Sequence, residues 1–257
     1  MQMFDLSGHT AVVTGGNGGI GLALARGLAK ANANVAVWAR NDTKNSAAVE
    51  ELDEYGTGRI ASFICDLADE AQIETAMAGT LEQLSKVDSC FANAGMGGGG
   101  VPLSEMTADK WDPVQQVNTR GVALVYSHVS RHMIDRGEGG KLIVSGSGQS
   151  IMGVNRNTNY AASKAAVNGL TRGAAFELAR YGITANALLF GYYETEMTGA
   201  SNNRTGNKFH DWMMQRIPQR RSGNLAELEG VAVFWASPAS NYITGQCLPI
   251  DGGLCIS

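Results

Sequence analysis

The sequence predicts an α/β, doubly wound fold: a single domain with about seven parallel strands in one sheet and helices on both faces. Three observations carry this expectation. Short β-rich runs alternate from Thr10 onward with longer stretches whose apolar residues recur on one helical face. The first such run passes into its helix through a glycine-rich turn. Finally, 257 residues at 44% hydrophobic contain no stretch that looks like a linker, so one large core is the economical reading of residues 1–257.

The elements follow in order. Thr10 to Thr14 is the first strand, and the helix from near Gly19 places Ile20, Leu24 and Leu28 four apart. Asn34 to Ala39 is the second strand. Asp42 is the expected cap of a helix that runs to about Tyr55, where Gly56 can stop it, and Ile60 to Cys65 is the third strand. A helix from Asp69 to about Leu84 leads to strand Ser89 to Ala92. The glycine run Gly97 to Gly100 reads as loop, and Thr107 is expected to cap a long helix through Asn118 to near Gly137. Strand Leu142 to Ser145 precedes a helix over Asn159 to Tyr181, and Ile183 to Leu189 is strand. Tyr192 to about Asn207 reads as an irregular excursion within 191–217 that suits a substrate lid. Helix Leu225 to Ala236 and a strand near Leu248 to Ile250 close a Rossmann-like sheet.

Charge and composition exclude several functions. The net charge is −4, and no basic run exceeds Arg220 and Arg221, so no field gathers a nucleic acid. No segment approaches the ~18 apolar residues of a membrane span, and Met1 to Ser7 lacks a basic stretch followed by an apolar one. A cytoplasmic protein with no membrane partner is expected. Cys65, Cys90, Cys247 and Cys255 form neither a CxxC motif nor a disulfide framework. No metal is expected: His128 and His132 are four apart on a helix, but Val129 stands where HExxH needs Glu. Ser147 sits in Ser-Gly-Ser-Gly-Gln, without the outer glycines of a hydrolase elbow.

The turn Thr14-Gly15-Gly16-Asn17-Gly18-Gly19-Ile20-Gly21 joins a strand to a helix, where missing side chains let backbone N–H groups approach a pyrophosphate. A dinucleotide is the expected cofactor. NAD-binding units usually end the second strand with an acidic residue that bonds the adenosine 2′-hydroxyl. Here Ala39 occupies that place and Arg40 follows, with Asn41 as a neutral donor, so NADP(H) is expected to be preferred and NAD(H) accepted less well.

Tyr160 and Lys164 are four apart and share one helix face. A phenol with an ordinary pKa of about 10 is a poor base at neutral pH. One cation about 4 Å away, at an effective dielectric of ~20, supplies about 4 kcal/mol, enough to lower it by two to three units.

Together these residues resemble the short-chain dehydrogenase/reductase family. The resemblance rests on Thr14-Gly15-x-x-x-Gly19-x-Gly21, Asn93-Ala94-Gly95, a helical Asn118, Ser147, and Tyr160-x-x-x-Lys164, and it runs from Phe4 to Ile256. Gly191, Thr195, Thr244-Gly245-Gln246 and Asp251-Gly252-Gly253 match later features. The resemblance implies an oxidoreductase that interconverts a ketone and a secondary alcohol, with Tyr160 as general acid/base, Ser147 on the substrate oxygen, and Lys164 on both the ribose and Tyr160. Asn118 would act through its backbone in a helix distortion. Gly15, Asn17, Gly18, Gly19, Ile20 and Gly21 would hold the pyrophosphate region, and Asp66 and Leu67 would flank the adenine. Asn93, Ala94 and Gly95 would support the ribose region, and Gly191, Tyr193 and Thr195 the nicotinamide side.

Gln149, Asn155, Phe190, Tyr192, Met197 and Trp212 are candidate substrate residues, a polar and apolar mixture that suits a keto-sugar acid, a polyol or another small ketone. The stretch around Thr171 to Arg180 and Gly191 to Met197 is similar to the gluconate 5-dehydrogenase and 3-oxoacyl reductase branch. Two positions depart from the family pattern: Phe190 and Leu225 each replace a frequent proline, and Phe190 is expected to narrow the nicotinamide pocket. A homotetramer is implied by relatives. The competing reading is a cofactor-binding sensor of the same fold without turnover.

Overall fold

All five residues of β1 (Thr10–Thr14) are buried, as a central strand covered on both faces requires. In the computed structural model, which describes residues 2–198 and 208–256, β1 is joined by β2 (Asn34–Ala39), β3 (Ile60–Ile64), β4 (Ser89–Ala92), β5 (Gly140–Ser147), β6 (Ile183–Phe190) and β7 (Cys247–Ile250). Every pairing is parallel, in the order β3-β2-β1-β4-β5-β6-β7. The chain is a single Rossmann-type domain, and its strand order reverses between β1 and β4. A crevice therefore opens beyond the C-terminal strand ends at that point.

Strand parity builds two cores. Val12, Ala36, Trp38, Cys90, Leu142 and Leu189 face α3 (Glu70–Leu84), α5 (Val122–Arg136) and α6 (Thr158–Leu178). Ala11, Val13, Val35, Val37, Ile143 and Leu188 face α1 (Gly19–Lys30), α2 (Asp42–Asp53) and α8 (Glu227–Ala236). A third, small cluster joins Tyr192 to Met213 and Ile217 of the α7 (Lys208–Arg216) region and to Leu254.

Four local readings change. Asn41, not Asp42, caps α2, its side chain accepting from Lys44 N at 2.9 Å, because a cap must precede the first helical residue. Thr107 sits at its cap position without a side-chain cap bond. The long helix is broken into α4 (Ala108–Gln115), a π-helical turn at Gln116–Gly121, and α5. The expected excursion contains a regular helix, α7, while residues 199–207 of it lie outside the described residues. Among the described residues, no helix is long and apolar enough to cross a membrane.

Candidate active site

The glycine turn occupies the crevice between β1 and β4. Gly15 and Gly19 have φ of +65° and +51°, a left-handed region that side chains disfavour. A Cβ on Gly21 would lie 2.1 Å from Gly15 O, so the turn closes tightly only with glycine there. Gly18 caps α1 without a side-chain bond and faces open space, leaving the first-turn N–H groups of α1 directed at the crevice. An uncapped helix N-terminus behind glycines fits a pyrophosphate. Thr14 Oγ1 ties the two strand ends together by accepting from Asn93 N and Ala94 N, both at 2.9 Å. Asn93 donates to Thr14 O at 3.1 Å and accepts from Ser145 Oγ at 2.9 Å, so its side chain braces the turn.

Ser147 ends β5, two residues beyond the expected strand end. Its side chain lies by that of Tyr160, on the first turn of α6, close enough to favour the ionised phenol, and its Oγ accepts from Gln149 N at 3.2 Å. One turn further along α6, Lys164 is buried, and its Nζ donates to Ser145 O at 2.7 Å. A Cβ on Gly95 would lie 3.3 Å from Asn118 Oδ1 and 3.5 Å from Lys164 Nζ, so glycine leaves room for both. Asn118 lies in the π-helical turn, the distortion expected of it, and its side chain bonds both backbone groups of Met96. Ser147, Tyr160, Lys164 and Asn118 thus converge at one end of β5.

The electrostatics depart from expectation. Burial raises the Tyr160 phenol above its ordinary value, and the Ser147 side chain opposes this only in part. Lys164 Nζ stands 5.7 Å from the centre of the Tyr160 ring and is engaged by the Ser145 carbonyl, so in this arrangement it does not bring the phenol down. Burial also pulls the Lys164 ammonium down to about 8.

The adenosine side is open. Arg40 is 74% exposed by its side chain and reaches only to 3.9 Å from Asp66. Asn41 is committed as a cap, and Leu67 is buried. Asn17 donates to Asn45 Oδ1 at 2.7 Å, and Asn45, fully buried, donates to Ala39 O at 2.9 Å, linking the glycine turn to the end of β2. Ile20, half-buried behind the turn, packs on the α1 and α8 core. Thr195 Cγ2 would be 3.2 Å from a Cβ on Gly19, so the segment after β6 lies along the turn.

The substrate candidates separate. Gln149 Oε1 accepts from Asn157 Nδ2 at 2.7 Å beside Ser147. Asn155 and Met197 are exposed. Tyr192, with Trp212 packed near it, belongs to the third cluster, and Tyr192 Oη lies 3.5 Å from His210 Nδ1. Phe190 corrects the expectation: it is buried among Leu188, Ile143 and Tyr193, with its ring edge-on to Tyr193 at 6.0 Å. Strand parity sends it into the α1 and α8 core rather than into the crevice. Tyr193 packs against Gly223, where a Cβ would lie 2.2 Å from its ring, and Gly191 packs on Asp251. His132 Nε2 accepts from Val87 N at 3.1 Å, and His128 lies 3.9 Å from Glu70.

Sequence reading missed Asn45, Ser145, Asn159 and Ser163 as parts of the site. Each is a small polar residue within an otherwise regular element, and only tertiary contacts reveal it.

A family model described as enoyl-(acyl carrier protein) reductase matches residues 15–255. The chain is 36% identical over 256 residues to a gluconate 5-dehydrogenase of Gluconobacter oxydans, covering 100% of this chain and 98% of that protein. The crystal structure of a gluconate 5-dehydrogenase from Burkholderia cenocepacia in complex with NADP and tartrate superposes with a TM-score of 0.91 at 38% identity, covering 99% of this chain and 98% of that one. A short-chain type dehydrogenase/reductase from Mycobacterium marinum gives a TM-score of 0.93 at 32% identity, covering 100% and 99%. By fold, site geometry and these likenesses, the chain belongs to the short-chain dehydrogenase/reductase family.

Proposed function

We propose that this protein is an NADP(H)-preferring oxidoreductase that interconverts a small hydroxylated ketone, such as a keto-sugar acid, with its secondary alcohol. The observation that carries this reading is the convergence of Ser147, Tyr160, buried Lys164 and buried Asn118 beside the glycine turn, with Lys164 Nζ on Ser145 O at 2.7 Å. When bound, the nicotinamide would supply or accept the hydride. Ser147 would orient the substrate carbonyl oxygen, and Tyr160 would give it a proton. Because burial raises the phenol, Tyr160 is protonated at neutral pH and ready to donate in reduction. In the reverse direction the phenol must lose its proton, so oxidation should accelerate as pH rises. Gly15, Gly18, Gly19 and the first turn of α1 would hold the pyrophosphate, Arg40 the 2′-phosphate, Asp66 and Leu67 the adenine, and Lys164 the ribose next to the nicotinamide.

The gluconate 5-dehydrogenase relatives, one of them crystallised with NADP and tartrate, support both the cofactor and a hydroxy-acid substrate. The polar pair Gln149 and Asn157 beside Ser147 suits a substrate with several hydroxyls. A homotetramer in the cytoplasm completes the proposal. The outer face of α6 supports the assembly, since Gly169, Gly173 and Phe176 are exposed on it, Phe176 by 92%. A panel of keto-sugar acids, cyclic ketones, aryl ketones and acyl thioesters, followed by nicotinamide absorbance, tests the reading. Turnover of keto-sugar acids is expected; activity confined to thioesters, or cofactor binding without turnover, would contradict it.

A further inference from the structure

The glycine run after β4 lies against the catalytic helix. Gly98 is buried, and a Cβ there would stand 2.1 Å from Asn157 Oδ1, 2.5 Å from Asn159 Oδ1 and 3.0 Å from Tyr160 Cβ. Two buried amides hold this loop. Asn118 accepts from Met96 N at 2.7 Å and donates to Met96 O at 2.9 Å and to Ser163 Oγ at 3.0 Å, while Ser163 Oγ donates to Tyr160 O at 2.7 Å. Asn159 donates to Gly98 O at 3.1 Å and to Lys110 O at 2.9 Å, and its Oδ1 accepts from Tyr160 N at 2.8 Å.

Tyr160 is the third residue of α6, where a backbone N–H has no partner within the helix. The residue at the cap, Asn157, makes no capping bond, its amide being given to Gln149. Asn159 fills that role from inside the helix. Both backbone groups of Tyr160 are therefore tied to the loop, the N–H through Asn159 and the C=O through Ser163 and Asn118.

We propose that Asn159 is a positioning residue for Tyr160: with Asn118 it forms a double amide clamp that makes the Met96 to Gly98 loop and the first turn of α6 one rigid piece and so fixes where the phenol stands beside Lys164. A phenol released from this clamp is displaced from the carbonyl oxygen, and misplacement on the order of 1 Å can cost about a hundredfold in rate. The inference rests on Tyr160 being the acid/base group proposed above, and one of its readouts needs no substrate.

The test uses the full chain carrying Asn159→Ala, with Asn159→Asp as the conservative variant that keeps the acceptor for Tyr160 N and removes both donors. Asn159→Ala should lower kcat by about tenfold to a hundredfold with the cofactor Kd changed by less than about twofold. The titration of Tyr160, read as tyrosinate absorbance against a Tyr160→Phe reference, should fall toward the ordinary phenol value as burial is relieved. Asn159→Asp should recover part of both effects. Arg156→Ala, which loses a 2.9 Å bond to Gly100 O in the same loop without touching Tyr160, should keep kcat within about twofold. If Asn159→Ala does not fold, Gly98→Ala pushes a methyl into the same amides and should give the same signature. An unmoved titration with unchanged kcat, or an equal loss in Arg156→Ala, would overturn the clamp. Full turnover by Tyr160→Phe would instead sink the functional reading, leaving the titration to decide the clamp.

Discussion

The two ends of the proposed cofactor groove are built differently. At the proposed catalytic end, Asn118 is fully buried, Lys164 and Ser147 nearly so, and each has a backbone hydrogen-bond partner. At the adenosine end, Arg40 is mostly exposed, and the segment after β6 is fastened to α2 by an exposed ion pair, Lys44 Nζ to Glu196 Oε2 at 2.7 Å. The first end is preorganised, so removing one atom there should cost much. Charges in water hold the second end, and such contacts are individually weak and screened by salt. On the proposed assignments, chemistry would be fixed by packing, and cofactor choice would be left to side chains that can be exchanged cheaply.

Mutation can break this contrast, beginning where the expected effect is largest. Tyr160→Phe removes one hydroxyl and little volume, so kcat should fall by about a hundredfold to ten-thousandfold while melting temperature and cofactor Kd stay near those of the unmodified protein. Steady-state rates with fluorescence binding measure both.

Lys164→Met should also abolish most turnover, weaken cofactor binding, and change stability with a pH dependence whose sign is set by burial. The folded-state pKa of about 8 lies below the ordinary 10.5, so between these values the unfolded chain binds more protons than the folded one, and the stability of the unmodified protein rises with pH. The cost of burying the ammonium is complete below about 8 and fades toward 10.5. Melting curves should therefore show Lys164→Met more stable at pH 7 by about 1 to 3 kcal/mol, with the gain shrinking by pH 10. A pH-independent difference would mean that Lys164 is not buried as a cation.

At the open end, Arg40→Ala should weaken NADP(H) by about tenfold to a hundredfold and leave NAD(H) nearly unchanged, since a charge-assisted bond to phosphate is worth about 1.5 to 3 kcal/mol. Dissociation constants for both cofactors decide it, and equal losses would remove Arg40 from the phosphate. The smallest effect belongs to the Lys44 and Glu196 pair. Glu196→Gln should change cofactor release by less than about fivefold, and the change should vanish in high salt.

The sheet was legible because a parallel strand buried on both faces is a dense apolar run, and β1, β2 and β4 begin and end where those runs do. Tyr160, Lys164 and Ser147 were legible because spacing and family resemblance both marked them. The π-helical turn at Gln116–Gly121 was signalled only by the family resemblance at Asn118, since its residues continue a helical pattern and only the contacts of Asn118 with Met96 and Ser163 accompany the extra backbone residue. Helix α7 escaped notice because Met213 and Ile217 bury against Tyr192 and Leu254, which are distant in sequence. Phe190 was readable in principle: it shares strand parity with Leu188, and two residues along a strand face the same side. The phenol's raised pKa depends on burial, which spacing between Tyr160 and Lys164 does not encode.

The central claim is that this chain moves a hydride between a nicotinamide and a carbonyl carbon with Tyr160 handling the proton. The most direct measurement follows deuterium from NADPH labelled at the nicotinamide C4 during reduction of a keto-sugar acid, in the unmodified protein and in Tyr160→Phe. Deuterium should appear on the new carbinol carbon in the unmodified protein and at a rate lower by at least about a hundredfold in Tyr160→Phe. A carbinol carbon free of deuterium in the unmodified protein when both C4 positions of the cofactor are labelled, or equal transfer by both proteins, would contradict the account.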